Sequence, residues 1–441
     1  MWGNFLYSSF ERIWMAGSKI LILLLVARIL GPSGVGIYAL AITSVALATS
    51  FSSLGMEVSN NYYACKERQA IRSILGNTLI FSVISGGTAS LIIAFFLVIL
   101  HDSVFRSLPP SYTIWVPVAT LLESSSMLMV GIVLGLDKFR DYAISTVLRW
   151  TILLGFVGGF AVAHKLRVEY LVPLYALSTL VGCVYLLIRI LKVCQWRIRT
   201  GIGLFRQELR YGLKAYVYNF CHYLNFRFDH FVVAAFYDVT SVGYYSVATQ
   251  IAESIVYLPK ALSNAVLTQT ADDVRQGGEA THRGVYWLVG SALILVSIPL
   301  MVFASPLIAT LFSARLLPAV PPLRILLPGT CFLGLGIVAS YQLFGLGRSA
   351  EPSIAAAVGT TLTLLLDLVL IPPFGLKGAA VASALAYLAF AVVALYYLSR
   401  HLRTSVVELL VPARSGIVRE IRRSGLLRRG GAKAIPAKGR M

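Results

Sequence analysis

The stretch Gly31-Pro32-Ser33-Gly34-Val35-Gly36-Ile37-Tyr38-Ala39-Leu40-Ala41 decides the fold. It sits between two apolar runs, Ile20 to Leu30 before it and Ile37 to Leu54 after it. Three glycines and a proline within six residues do not continue a regular helix. Proline lacks a backbone donor, and glycine tolerates the positive φ of a tight turn. Two apolar helices therefore meet here across a very short turn. A related pattern returns 207 residues later, where Ser241-Val-Gly-Tyr-Tyr-Ser-Val-Ala248 lines up with Gly34-Val-Gly-Ile-Tyr-Ala-Leu-Ala41. A second echo, at a spacing of 210, sets Phe344-Gly-Leu-Gly-Arg348 against Leu134-Gly-Leu-Asp-Lys138. Two matches at nearly one spacing point to a duplicated chain of two halves.

Apolar residues make up 57% of the chain and charged residues 13%. Soluble domains carry roughly 25% charged residues, so this composition reads as an integral membrane protein. The apolar runs reach the roughly 20 residues that span hydrocarbon as a helix, and no alternating barrel pattern occurs. No cleavable signal peptide is expected, because the first apolar run carries Glu11, Arg12 and Lys19. The five cysteines, Cys65, Cys183, Cys194, Cys221 and Cys331, are scattered without metal-ligand spacing and form no disulfide framework. No metal or cofactor is expected.

Twelve membrane helices are expected, near 5–30, 36–56, 74–100, 112–135, 142–163, 170–191, 211–236, 242–267, 286–311, 324–345, 353–372 and 377–399. The net charge of +19 is distributed by side rather than gathered into a nucleic-acid site. Connections on one side, together with the tail, hold 24 lysines and arginines, against six on the other. The positive-inside rule then puts both termini in the cytoplasm. The expected division is a bundle over 1–191, a cytoplasmic linker over 192–210, a second bundle over 211–399 and a basic tail over 400–441. The tail has few aromatics and no nucleic-acid motif; it reads as a topology-setting end, with contact to anionic lipid as the alternative.

Ionisable residues inside spanning helices cost a few kcal/mol or more and mark cavities or partners. The first helix carries Arg12 and Lys19, seven residues apart on one face. The seventh carries the stripe Lys214, Tyr218, His222, Asn225 and Asp229, with Arg227 and His230 off it. The eighth carries Gln250, Glu253, Tyr257, Lys260 and Asn264. Glu123, Arg149 and Asp367 stand singly. Structural alternatives stand beside these: Arg28, Arg149 and Lys260 snorkel to a helix end, Asp229 pairs with Arg227 or an arginine of a neighbouring helix, His222 is a satisfied packing histidine, Asp367 caps or pairs with an arginine, and the seventh-helix stripe is a polar helix–helix contact. Walker, HExxH, CxxC and GxSxG motifs are all absent, so no enzyme is expected.

The pattern resembles the multidrug/oligosaccharidyl-lipid/polysaccharide exporter superfamily, and within it the Wzx-type polysaccharide flippases. The resemblance rests on Val26-Ala-Arg28-Ile-Leu-Gly31-Pro-Ser-Gly-Val-Gly36-Ile-Tyr38-Ala. It rests also on Asn225-Phe-Arg227-Phe-Asp229 followed by Gly243-Tyr-Tyr245-Ser-Val-Ala248, on Gly345-Leu-Gly-Arg348, and on Ile371-Pro-Pro-Phe-Gly375-Leu-Lys-Gly378-Ala-Ala-Val-Ala-Ser383. It covers about residues 5–400; no single motif in it is specific, and the order and spacing make the case. It implies an all-α fold of two pseudo-symmetric six-helix bundles rocking about a central cavity in the bacterial inner membrane. It also implies an undecaprenyl-diphosphate-linked oligosaccharide as substrate, flipped for surface polysaccharide assembly, with a polysaccharide polymerase and glycosyltransferases as partners and no nucleic acid.

Such a substrate wants a basic, wet cavity for its diphosphate and a lateral gap for its tail. On that expectation Arg12, Lys19, Lys214, Arg227, His222 and Asn225 bind the head group, arginine suiting phosphate through its forked donors. Asp229, Glu253 and Asp367 are the candidates for ion coupling. The alternatives are a cation-coupled drug exporter of the same fold, which wants carboxylates to dominate the cavity, and a membrane-embedded glycosyltransferase or polymerase, which wants larger outward loops.

Overall fold

A computed structural model of the chain describes residues 2–275 and 283–410. The residues 276–282 and most of the basic tail, 411–441, lie outside the described residues. The helices are α1 (Trp2–Ser53), α2 (Met56–Lys66), α3 (Ile71–Phe81), α4 (Gly87–Ile99), α5 (Tyr112–Gly135), α6 (Phe139–Val162) and α7 (Val168–Val193). They continue with α8 (Ile202–Phe236), α9 (Val239–Ser254), α10 (Tyr257–Arg275), α11 (Arg283–Val302), α12 (Ala304–Leu311), α13 (Val320–Gly345), α14 (Ala350–Leu402) and α15 (Val406–Leu410). No strand occurs among the described residues.

Eight helical segments among the described residues are long and apolar enough to cross a membrane. Two of them hold two passes each. The chain in α1 folds back at Gly31, whose φ of 71° breaks the helix just before Pro32. In α14 it does so at Gly375, with φ 58° after Pro372 and Pro373. The seventh pass, in α8, and the eighth, split between α9 and α10, fall outside the apolar set. These are the two passes whose polar stripes stood out in the sequence. Counted this way, the expected twelve passes are all present, in two six-helix bundles around a central cavity.

The third pass joins α3 to α4 through a π-helical turn, Ser82–Gly86. Large apolar side chains such as Leu91, Phe95, Leu295 and Leu365 face outward, as lipid contact requires. All five cysteines are free. Several boundaries differ from expectation: the expected span 36–56 ends at Ser53 and the loop after it holds α2, the expected span 242–267 breaks after Ser254 and runs on to Arg275, and the expected span 286–311 breaks after Val302. The stretch 202–210, expected as loop, is the first part of α8. Asn77 of α3 holds it down: its side chain accepts from the Gly201 amide at 3.1 Å and donates to Glu208 Oε2 at 3.0 Å. The first part of α8 packs on α2, where Tyr211 stacks on Tyr62 at 4.5 Å, and the later part packs on α14.

The bundles meet at the end opposite the termini. There α1 packs along α9. Arg28, expected to snorkel, instead reaches across: its Nε donates to the Leu311 carbonyl at 2.8 Å and its Nη2 to the Thr310 carbonyl at 2.6 Å. Arg106 donates to the Tyr237 carbonyl at 3.1 Å. Asp238 caps α9 by accepting from the Ser241 amide at 2.8 Å.

Candidate functional site

A cavity of about 710 Å³ lies between the bundles. The first bundle contributes Lys19, Tyr38, Glu123, Arg149, Trp150 and Tyr175 to its wall. The second contributes Tyr223, Arg227, His230, Ser246, Thr249 and Gln250. Toward the termini the wall continues with Glu11, Glu57 and Asn61. The cavity is therefore zoned along its axis. Glu11 precedes Lys19 by eight residues on α1, about 12 Å of helix rise. The cations gather toward the closed end and two carboxylates toward the termini.

In the cationic zone, Arg149 holds Glu123 with both forks, Nη2 to Oε2 at 2.6 Å and Nη1 to Oε1 at 3.0 Å. Tyr175 adds its hydroxyl to Glu123 Oε2 at 3.0 Å, and the Arg149 guanidinium lies 4.8 Å from the Tyr175 ring centre. Across the cavity, Arg227 holds Glu253 the same way, at 2.9 Å on each fork. Lys19 makes no ion pair among the described residues; its Nζ sits 5.1 Å from the ring centre of Trp150. This is a cation–π contact, which leaves the ammonium donors free for a ligand.

The structure separates the residues singled out in the sequence. Lys19 and Arg227 line the cavity. Arg12 is exposed and outside the cavity wall, near Tyr341 of α13. The side chains of Lys214, His222 and Asn264 lie outside the described residues. Asn225 is buried against α14, where it accepts a short hydrogen bond from the Thr363 hydroxyl. Glu253 sits behind Arg227 as its counter-ion. The seventh-helix stripe is thus, at Asn225 and Asp229, a contact with neighbouring helices. The cavity face of α8 is the row Tyr223, Arg227 and His230.

Asp229 and Asp367 are buried inside the second bundle. The Asp229 carboxylate is well satisfied. One oxygen accepts from the His230 amide at 2.8 Å and meets its ring Nδ1 at 2.8 Å. The other accepts from the Tyr245 hydroxyl at 2.6 Å and the Ser383 hydroxyl at 3.3 Å. Asp367 is close enough for its charge to act on Asp229, yet neither of its oxygens has a hydrogen-bond partner among the described residues. No cluster of three or more potential metal ligands occurs among the described residues.

Sequence reading undervalued Arg149, Glu123 and Trp150. Arg149 and Glu123 lie on different helices, 26 residues apart, and nothing in the spacing shows that they face each other. The adjacent Arg149-Trp150 pair was the available signal, since both side chains appear together on a cavity wall. The expectation that basic groups dominate the cavity also needs correction. Its three cations are matched in number by Glu123, Glu11 and Glu57 on the wall, with Glu253 behind Arg227. The surplus of positive charge is confined to the closed end.

A family model described as polysaccharide biosynthesis protein matches residues 1–267. A protein of Haloferax volcanii named as a probable low-salt glycan biosynthesis flippase is 22% identical over 309 residues, 69% of this chain and 64% of that one. An uncharacterised membrane protein of Methanocaldococcus jannaschii is 28% identical over 142 residues, 31% of this chain and 28% of that one. The chain thus matches less than two thirds of the length of either relative. Among solved structures, the lipid II flippase MurJ in an inward closed conformation superposes with a TM-score of 0.73 at 15% identity, over 96% of each chain. An inward-facing multidrug resistance MATE family transporter of the MOP superfamily gives 0.72 at 15% identity, over 88% of this chain and 94% of that one. An outward-facing MATE family transporter gives 0.59 at 15% identity, over 91% and 95%. With two six-helix bundles, a zoned central cavity and a family match across more than half its length, the chain belongs to the polysaccharide biosynthesis protein family and shares the fold of those solved transporters.

Proposed function

We propose that this protein flips an undecaprenyl-diphosphate-linked oligosaccharide from the cytoplasmic to the periplasmic leaflet by alternating access, for surface polysaccharide assembly. The observation that carries this reading is the cationic zone, where Lys19, Arg149 and Arg227 converge from both bundles. Two arginine forks and a lysine suit a diphosphate. Trp150, Tyr223 and Tyr38 offer flat faces for sugar rings beside them. The bundles over 1–191 and 211–399 rock about the linker over 192–210, with the tail over 400–441 and both termini in the cytoplasm of a bacterial inner membrane. The better superposition on the inward-facing than on the outward-facing MATE family transporter supports a cavity that faces the cytoplasm. A polymerase and glycosyltransferases are the expected partners.

Coupling falls to the buried pair Asp229 and Asp367. An unpartnered carboxylate beside a satisfied one takes up a proton or a monovalent cation in a water-poor site. His230 joins Asp229 to the cavity wall, so occupancy of the pair is felt where substrate binds. Glu253 is less suited, being already held by Arg227.

Glu11 and Glu57 favour a second reading, a cation-coupled drug exporter, because they offer a cationic drug two carboxylates. Proteoliposomes separate the two. A fluorescent short-chain polyprenyl-diphosphate oligosaccharide should change leaflet without changing mass, as scored by an impermeant glycosidase. Uptake of a cationic dye with no movement of the lipid-linked sugar would overturn the flippase reading, and a change in lipid mass would reveal an enzyme.

A further inference from the structure

We infer that Glu123 and Glu253 are resident stand-ins for the substrate's phosphates. Each holds an arginine fork, Glu123 on the cavity wall and Glu253 behind Arg227, and is displaced when a diphosphate binds. The inference rests on the flippase reading above and assigns to it two residues with the same sign of charge as the ligand.

The geometry of the two pairs is alike. Arg149 and Arg227 each present both forks to one carboxylate, at 2.6 and 3.0 Å and at 2.9 and 2.9 Å. A phosphate's O–P–O edge fits the same fork as a carboxylate's O–C–O edge, so the swap needs no reshaping of the arginine. Both pairs remain reachable: the side chains are 13% and 22% exposed for Arg149 and Glu123, and 25% and 16% for Arg227 and Glu253. Tyr175 stays bonded to Glu123 and gives the displaced carboxylate a donor to keep.

The arrangement also meets a need of the empty carrier. Three unneutralised cations in a narrow, water-poor cavity repel one another and are costly to enclose. Lys19 shares the cavity wall with both Arg149 and Arg227. With Glu123 and Glu253 in place, this zone holds one net positive charge. The first bundle owns one pair and the second owns the other. A diphosphate bridging Arg149 and Arg227, guided by unpaired Lys19, therefore ties the bundles together. Its release returns each arginine to its own glutamate, leaving the empty carrier free to reset.

The test measures binding of geranyl diphosphate to purified protein, and turnover in proteoliposomes. Glu123→Gln and Glu253→Gln should each bind the probe about tenfold more tightly than wild type. Single-turnover flipping should persist while multiple turnover slows, because the reset is hindered. A merely structural role predicts weaker binding and less folded protein instead, and unchanged or weaker binding by folded Gln variants overturns the proposal. Wild-type protein carrying isotope-labelled glutamate gives a second measurement that needs no variant. Adding geranyl diphosphate should shift a glutamate carboxylate stretch in the infrared difference spectrum, and an unshifted spectrum at saturation overturns the proposal. Failure of wild-type protein to bind geranyl diphosphate at all would sink the flippase reading itself, which keeps the two failures apart.

Discussion

Gly36 and Gly243 stand against each other at the closed end, each so close to the other's helix that a side chain on either would meet its backbone. A Cβ on Gly36 would lie 1.8 Å from the Val239 carbonyl oxygen and 2.9 Å from the Gly243 amide nitrogen. A Cβ on Gly243 would lie 2.0 Å from the Pro32 carbonyl oxygen and 3.1 Å from the Gly36 amide nitrogen. These are the matching glycines of the two repeats, so the duplicated turns close the molecule upon each other. The clashes are with backbone, which cannot rotate away. Gly36→Ala or Gly243→Ala should therefore hold this end open, at a cost of roughly 1–3 kcal/mol to the closed form. A cysteine at Ser246 in the cavity wall should then react with an impermeant maleimide added from the periplasmic side. Labelling no faster than in the glycine parent would refute the gate.

The cavity position of Lys19 and the exposed position of Arg12 predict different phenotypes. Lys19→Ala removes the cation that is left unpaired beside Trp150. It should reduce flipping by about tenfold or more while the protein still accumulates, the loss of roughly one charge-assisted contact. Arg12→Ala should keep most of the activity. Arg227→Lys should fall between wild type and Arg227→Ala, since a lysine cannot fork. Initial flipping rates at matched protein density decide this. Equal losses for Arg12→Ala and Lys19→Ala would place substrate contact at the mouth instead.

Much of the fold was legible in the sequence, for a physical reason. Hydrocarbon demands long apolar helices, and the turn at Gly31-Pro32 marks where one ends and the next begins. The positions of all twelve passes follow from that. The site was less legible because periodicity identifies a polar face without saying what it faces. On α8 the stripe ending at Asn225 and Asp229 turned toward neighbouring helices, while Arg227, off the stripe, turned to the cavity. Arg28 read as a snorkelling side chain, but only the tertiary fold puts the carbonyls of Thr310 and Leu311 within its reach. The partnership of Glu123 with Arg149 was equally hidden, because it joins two helices whose register depends on packing.

The unequal surroundings of Asp229 and Asp367 separate their roles. Asp229 ties His230, Tyr245 and Ser383 together, so Asp229→Asn disrupts several charge-assisted hydrogen bonds. It should destabilise the second bundle by about 1.5–3 kcal/mol or more, seen as a lower thermal midpoint in detergent. Asp367 has no such ties, and Asp367→Asn removes a buried, unpartnered charge. That variant should fold as well as wild type or better, yet lose the response of flipping to an imposed proton or sodium gradient. A wild-type gradient response in folded Asp367→Asn would exclude the pair from coupling.

Glu208 makes the attachment of the linker sensitive to pH. It lies before the apolar part of α8, fully buried against α3 and outside the membrane-spanning stretch. Burial pushes its carboxyl up to about 7, against the Asn77 hydrogen bond, which favours the ionised form, and with nearby Glu67 adding repulsion. One oxygen, Oε1, has no partner among the described residues, which is tolerable for a neutral acid and costly for an anion. Folding therefore favours the protonated form. Its contribution to stability is full below the ordinary carboxylate range near 4.5 and is lost as the pH rises through about 7. Between pH 5 and 8 the wild-type thermal midpoint should fall relative to that of Glu208→Gln by a few degrees, on the order expected for a kcal/mol or so. Over the same window amide exchange should quicken around Gly201, whose amide and carbonyl are both held by Asn77. A difference between wild type and Glu208→Gln that does not vary with pH would show that Glu208 stays in one protonation state and that the linker is held by other contacts.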